Sequence, residues 1–391
     1  MKSWLWVVTA IAATIPAFFI RLSGVHLSPP AETVTFGMAI VGAAFLLTWG
    51  AEVAELEVSQ ALALAFLALI AVLPEYAVDI YFAWTAAKDP QYAAYAAANM
   101  TGSNRLLIGI GWSMVAIMAW AKFKARSVTL ASPQRVELSF LALATIYAFL
   151  IPIKGNSSLI DTAILFSLFG VYMWASSRMG LSEPELVGPA ATIGCLPRAT
   201  RRGVTLFLFA LPAVVILLSA APFADGLVQT GRLLEIDEFL LVQWLAPLAS
   251  EAPELLVAAI FTLRNNAAMA IGALLSSKLN QWTLLVGSLP LAYTVSLGGV
   301  ASLPLDARQV EEVLLTAAQS AFALVLLGRM SLSRRGALVL LALFSTQLVL
   351  VNPVVRYGYS AVYLAAALVL LLADRDRRRG LFSLLRQPFG H

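Results

Sequence analysis

The chain has 391 residues, 60% of them hydrophobic and 12% charged, with a formal net charge of +4 and a mean hydropathy of +0.84. Soluble chains carry about twice that charged fraction, and the apolar runs lack the residue-by-residue alternation of a β-barrel, so the surroundings are lipid and the spans are helices. One cysteine, Cys195, and two histidines, His26 and His391, exclude an internal disulfide and a Cys- or His-built metal site, while basic residues gathered in the loops give no nucleic-acid signal.

About twelve spans are predicted, at 4–20, 33–56, 58–86, 91–121, 136–153, 158–177, 203–224, 236–263, 266–297, 310–328, 335–352 and 355–373. Each is long enough to cross a hydrocarbon core of roughly 30 Å. The first follows a single lysine and stops at Arg21 without a small-residue cleavage site, so it reads as a retained span rather than a signal peptide. The stretch 266–297 is longer than one crossing needs, which predicts a kink or a tilt. Trp4, Trp6, Trp120, Tyr172 and Trp174 fall near span ends and read as interface anchors. The loop 178–202 ends in Arg201-Arg202 and reads as a cytoplasmic linker between two halves. With the N-terminus inside, the inner segments hold eighteen basic residues and the outer ones six, Arg356 among them. Both termini are therefore expected in the cytoplasm, with the spans in the cytoplasmic membrane.

The two halves repeat one order of features. In the first, the apolar span Thr35–Trp49 is followed by Gly-Ala-Glu-Val-Ala-Glu (50–55), by Leu73-Pro74-Glu75, and by Asn99-Met-Thr-Gly-Ser-Asn104. In the second, Val204–Ala221 is followed by Ala-Asp-Gly-Leu (224–227), by Ala252-Pro253-Glu254, and by Gly272-Ala-Leu-Leu-Ser-Ser-Lys278. Each half, 33–177 and 203–352, holds five spans, and an odd number turns the second copy upside down. Inverted repeats of this kind place a substrate site near the midplane of secondary transporters. Residues 1–32 and 353–391 then supply an extra span at each end, the last with a basic tail.

The Pro-Glu pairs carry the chemistry. A proline inside a helix lacks its N–H and clashes with the preceding turn, so Pro74 and Pro253 are expected to release the carbonyls of Ile70 and Ala249. Carboxylates in mid-span are costly and mark function. Two carboxylates with carbonyl and hydroxyl oxygens are the hard donors that Ca2+ and Na+ prefer. Glu75 and Glu254 are thus the first candidates. Asp79 and Glu251 lie four and three residues from them, on the same helix faces, so four carboxylates are expected to crowd one core. Glu52, Glu55 and Glu57 read as interfacial loop charges. Arg105 and Lys278 are the only bases placed deep in spans, as possible partners of a core carboxylate.

These motifs resemble the calcium/cation antiporter superfamily, best known from sodium/calcium exchangers. Leu73-Pro74-Glu75 with Gly102-Ser103-Asn104 is similar to the first of that family's two repeats, and Ala252-Pro253-Glu254 with Ser276-Ser277-Lys278, more loosely, to the second. The resemblance implies an all-α membrane protein of about twelve transmembrane helices, with two inverted five-helix repeats and flanking helices. It implies antiport, and cation binding by Glu75 and Glu254 assisted by Ser103 and Ser277. Ser250, Glu251, Asn104, Asp79 and Gln281 complete the candidate set. Four departures bear on the coupling ion. Ala71 and Val72 replace the hydroxyls that precede the first Pro-Glu, and Ser250 and Glu251 stand at the matching places of the second. Four residues beyond each motif serine, Leu107 and Gln281 replace Asn or Asp. Asp79 and Glu251 add carboxylates. Arg105 and Lys278 add positive charge.

The reading that follows is a secondary antiporter, not an enzyme. It exchanges Ca2+ or a similar cation for Na+ or H+ by alternating access, with transported cations and the bilayer as its partners and no cofactor. The departures favour H+. Alternatives are a Na+/H+ or other cation/H+ exchanger on the same fold, or a non-transporting ion-binding or sensor homologue locked by Arg105 and Lys278. A membrane transferase is argued against by the duplicated architecture. A bundle of this size suits a monomer or a homodimer.

Overall fold

The computed structural model describes residues 2–56, 72–178, 186–349 and 352–386. In chain order its helices are α1 (Lys2–Ser23), α2 (Pro29–Ala54), α3 (Leu73–Ala86), α4 (Tyr92–Leu106), α5 (Ser113–Phe123), α6 (Gln134–Ala148), α7 (Leu150–Lys154), α8 (Leu159–Ser177), α9 (Gly188–Gly194), α10 (Arg198–Leu233), α11 (Glu238–Leu263), α12 (Ala267–Asn280), α13 (Val286–Leu297), α14 (Ala307–Leu327), α15 (Arg334–Val349), α16 (Pro353–Ala373) and α17 (Arg375–Arg386). Nine helical stretches among the described residues are long and apolar enough to cross a membrane, and they correspond to nine of the twelve expected spans. Of 58–86 only 72–86 is described. The stretch 335–352 is represented by the 16-residue α15.

The expected kink in 266–297 has a specific form. A π-helical segment, Gln281–Leu285, joins α12 to α13, and a second, Leu107–Trp112, joins α4 to α5. The wider turn steps out of the i→i−4 ladder and re-aims the side chains that follow it. The two spans also end alike: Lys124 after α5 and Gly298 after α13 take left-handed conformations, with φ of 57° and 72°, which closes a helix terminus. Loop 178–202 is more structured than expected, since it contains α9 and the first turn of the 36-residue α10.

Contacts divide the chain into two units. The first comprises Met1–Phe82 and Ser177–Glu254, the second Ala83–Ser176 and Leu255–His391. Each unit therefore draws on both halves of the sequence.

In the first unit α2 and α10 pack antiparallel. Thr33 Oγ1 lies 3.0 Å from Thr230 Oγ1 at one end. Gly37 faces the Phe223 ring, and Gly50 faces Leu208 at the other end. Small residues at such a seam let membrane helices approach closely, where packing replaces the hydrophobic effect. Gly42 admits α1: a Cβ there would lie 2.5 Å from the Ala10 carbonyl oxygen. Val7, Leu46, Trp49, Val53, Ile193 and Leu208 close this packing.

In the second unit α4 and α12 are also antiparallel neighbours. Asn104 meets Lys278, and Gly111, beyond α4, meets Leu274. Matched helices of the two halves thus run antiparallel inside each unit, as inverted copies must. Two short antiparallel ladders also join the two halves. Ser127–Thr129 pairs antiparallel with Ser331–Ser333, and Asn156–Ser157 with Leu303–Pro304. The start of α14 is fixed by a reciprocal cap between Asp306 and Gln309. Gly109 is pressed on Phe344, whose Cγ would lie 2.2 Å from a Cβ there. Trp4, Trp6, Trp120 and Trp174 are exposed, in keeping with interface anchors. Tyr172 is instead buried, with its hydroxyl 3.3 Å from Glu137 Oε1, to which it donates.

Candidate cation-binding residues

In the first unit the candidate acids lie on α3 and α11. Helix α3 begins at Leu73, so Pro74 stands in its first turn, where the missing N–H has no intrahelical partner to lose. The expected release of a carbonyl by a mid-span Pro74 concerns Ile70, which lies outside the described residues, as do Ala71 and Glu57. Glu75 is 2% exposed and Asp79 fully buried, one turn apart on the same face. Glu75 also sits at the helix N-terminus, where the backbone dipole favours an anion.

Helix α11 runs unbroken through Pro247 and Pro253. It presents Ser250 and Glu251, both buried, and the half-buried Glu254 within one turn. The Ser250 hydroxyl donates to the carbonyls of Ala246 and Pro247, both at 3.3 Å. Its oxygen keeps lone pairs for another partner. Glu254 lies within electrostatic reach of Glu75, so the fold brings together the two Pro-Glu carboxylates from opposite halves of the sequence. Glu254 Oε2 is buried and accepts no hydrogen bond among the described residues. Among the described residues no three Asp, Glu, His or Cys side chains are placed to hold one ion. Any shell here combines a pair of carboxylates with neutral oxygens. The reading of Glu52 is corrected, since it lies in the last turn of α2 and not in a loop.

In the second unit Ser103, Asn104, Lys278 and Gln281 are all fully buried, with Ser277 half-buried. Ser103 Oγ donates to the Asn99 carbonyl at 3.0 Å. Asn104 Nδ2 donates to the Met100 carbonyl at 2.8 Å, and its Oδ1 accepts from Lys278 Nζ at 2.6 Å. The ammonium also lies 4.1 Å from the centroid of the Trp282 ring, a favourable face for a desolvated cation. Asn104 Oδ1, expected as an ion ligand, is therefore engaged by the ammonium of the matching position in the other half. Gln281 Nε2 lies 3.5 Å from Ser277 Oγ. Leu107, at the place matching Gln281, is apolar and fully buried.

Arg105 is placed differently from its neighbour Asn104. Its Nη2 lies 2.5 Å from Glu312 Oε2 on α14. The other oxygen of Glu312 accepts from Arg356 on α16, which also lies 3.3 Å from Glu311 Oε1. All four side chains are at most 2% exposed. Gln319 Nε2 donates to the Arg105 carbonyl at 3.1 Å, and Gln347 Nε2 to Gln319 Oε1 at 3.3 Å. Sequence reading missed this cluster. It took Arg105 and Lys278 as the only deep bases and placed Arg356 in an outer segment. The available signal was Glu311-Glu312 inside an otherwise apolar span, where two adjacent acids need bases.

Comparison with known proteins places the chain in a family. A model of the family described as sodium/calcium exchanger protein matches residues 32–178 and again 204–352. The structure of the H+/Ca2+ exchanger CAX has a TM-score of 0.94 at 44% identity, covering 99% of this chain and 98% of that one. The Ca2+/H+ antiporter protein YfkE has a TM-score of 0.65 at 16% identity, over 89% of this chain and 98% of that one. The sodium-calcium exchanger NCX_Mj, soaked with Na+ and Sr2+, has a TM-score of 0.54 at 19% identity, over 81% and 97%. These two show the shared fold. No protein of curated function matches in sequence. The duplicated match, the antiparallel pairing of matched helices and the full-length likeness agree: this multi-pass membrane protein, built from two inverted helical repeats, belongs to the sodium/calcium exchanger protein family.

Proposed function

We propose that this protein exchanges Ca2+ for H+ across the cytoplasmic membrane by alternating access. Family membership makes it a secondary cation antiporter rather than an enzyme, and the choice of ions is the further step. The observation that carries it is the full-length likeness to an H+/Ca2+ exchanger. The Lys278–Asn104 bond points the same way, because a buried ammonium already occupies the asparagine oxygen of the first motif.

In this reading Glu75 and Glu254 bind Ca2+ when ionised and release it on protonation, so each carboxylate carries either cargo. Ser250 adds a hydroxyl oxygen. Asp79 and Glu251 are assigned as neighbouring carboxylates that take up protons. The excess of basic residues on one set of loops supports cytoplasmic termini.

The test is uptake of radiolabelled Ca2+ into proteoliposomes, with outward H+ or Na+ gradients imposed separately, for wild type and Glu254→Gln. Uptake driven by H+ alone and lost in the variant is the expected result. Uptake driven only by Na+ overturns the coupling. No uptake under either gradient, with folded protein, overturns antiport of Ca2+.

A further inference from the structure

Helix α17 starts two residues after the span α16 ends, so it lies at the level of a membrane surface. Its sequence, Arg-Asp-Arg-Arg-Arg-Gly-Leu-Phe-Ser-Leu-Leu-Arg, is the most basic stretch of the chain. One face is docked. Arg377 Nη1 donates to the carbonyls of Val325 and Leu326 at the end of α14, at 3.1 and 2.8 Å. Gly380 rests on Gly328, with no room for a Cβ between them. Ser383 accepts from Arg135, and Leu384 is buried.

The opposite face has a different character. Arg375, Arg379, Phe382 and Arg386 are exposed at positions i, i+4, i+7 and i+11, one stripe of a helix. Phe382 is 60% exposed between arginines on either side. Asp376 beside the stripe is 3.2 Å from Arg329, which also pairs with Asp374, so its charge is compensated. An apolar ring set among arginines, on a helix that directly follows a span, suits the boundary between headgroups and acyl chains. Basic residues just past a span are drawn to anionic lipid, and the arginine fork matches phosphate geometry.

We propose that the outer face of α17 is a docking surface for anionic phospholipid headgroups, with Arg375, Arg379 and Arg386 on the phosphates and Phe382 inserted between lipids.

The full-length protein in neutral detergent tests this by thermal unfolding, with added phosphatidylglycerol, phosphatidylcholine or inorganic phosphate. Phosphatidylglycerol is expected to raise Tm, and the other two are not. In the Arg375→Gln/Arg379→Gln/Arg386→Gln variant the half-saturating phosphatidylglycerol should rise on the order of a hundredfold, about a factor of five per arginine. Equal shifts with phosphatidylcholine, an unchanged variant, or a shift with phosphate alone would each overturn the proposal. Independently of the triple variant, a nitroxide on Phe382→Cys in a Cys195→Ser background gives a second reading in phosphatidylglycerol vesicles. Protection from an aqueous nickel chelate is expected, and full access to it refutes the insertion. Neither readout depends on which ions the protein transports.

Discussion

Two sets of acids inside the apolar helices invite comparison. Glu311 and Glu312 in the second unit are met by Arg105 and Arg356, so that cluster is neutral in formal charge. Glu75, Asp79, Glu251 and Glu254 belong to the first unit, in which no lysine or arginine among the described residues is buried. The residue types are the same, and the buried bases beside them are found in the second unit. Buried charges persist when paired and hydrogen-bonded, or when their burial serves a mobile ion. The neutral cluster therefore reads as architecture tying α4, α14 and α16 together. For the acidic set the proposed role is the binding of a mobile cation.

The sharpest way to break this comparison is to neutralise one acid from each set. Glu312→Gln leaves two buried arginines facing one carboxylate, and should cost roughly 3–5 kcal/mol of stability, seen as a fall in thermal unfolding temperature in detergent. If Glu312→Gln unfolds like wild type, the cluster is not architecture. Glu75→Gln and Glu254→Gln should leave that temperature unchanged or higher. Ca2+ transport by them should fall roughly a hundredfold, the counterpart of about 3 kcal/mol for one lost contact to a charged group. An equal loss of stability in both sets would erase the distinction.

Lys278→Asn is a smaller and more specific change. It removes the ammonium from Asn104 and places an amide at both matched positions. The apparent KM for Ca2+ is expected to fall by about tenfold, some 1.4 kcal/mol, with Na+ becoming an inhibitor of uptake. A variant that retains wild-type KM and Na+ insensitivity would separate Lys278 from ion choice.

The smallest effect concerns pH, outside the spans. Asp374 is half-buried, a cost that is outweighed by the Arg377 backbone N–H and the guanidinium groups of Arg329 and Arg377, and its carboxyl is held below the usual carboxylate range. A depressed pKa contributes stability above the unfolded value of 3.8 and loses it as pH falls through the folded one. Docking of α17 should therefore hold down to about pH 4 and weaken below it, measured as hydrogen exchange along Arg375–Arg386. Asp374→Asn should remove that dependence.

Much of this was legible in the residues because lipid imposes simple rules. Apolar length gave the spans, and the bias of basic residues among the loops gave an expected orientation. Glu75 and Glu254 stood out because a carboxylate after a proline in mid-span is costly wherever it falls. Arg105 and Lys278 were visible as deep bases, but their partners were not. Glu312 lies far along the chain from Arg105, and Arg356 on the last span was read as an outer charge. The π-helical segments were also invisible: only the excess length of 266–297 hinted at one, and nothing marked Leu107–Trp112.

The sequence by itself determined the medium, the helical class, the repeat with its odd number of spans, and the acids worth testing, because each follows from local composition or order. Only the tertiary structure decided which buried charges compensate one another and that Asn104 Oδ1 is engaged by Lys278. Among the described residues it also placed no three acids to hold one ion. Pairing depends on which helix faces meet, and those contacts join residues from opposite ends of the chain, where local composition says nothing.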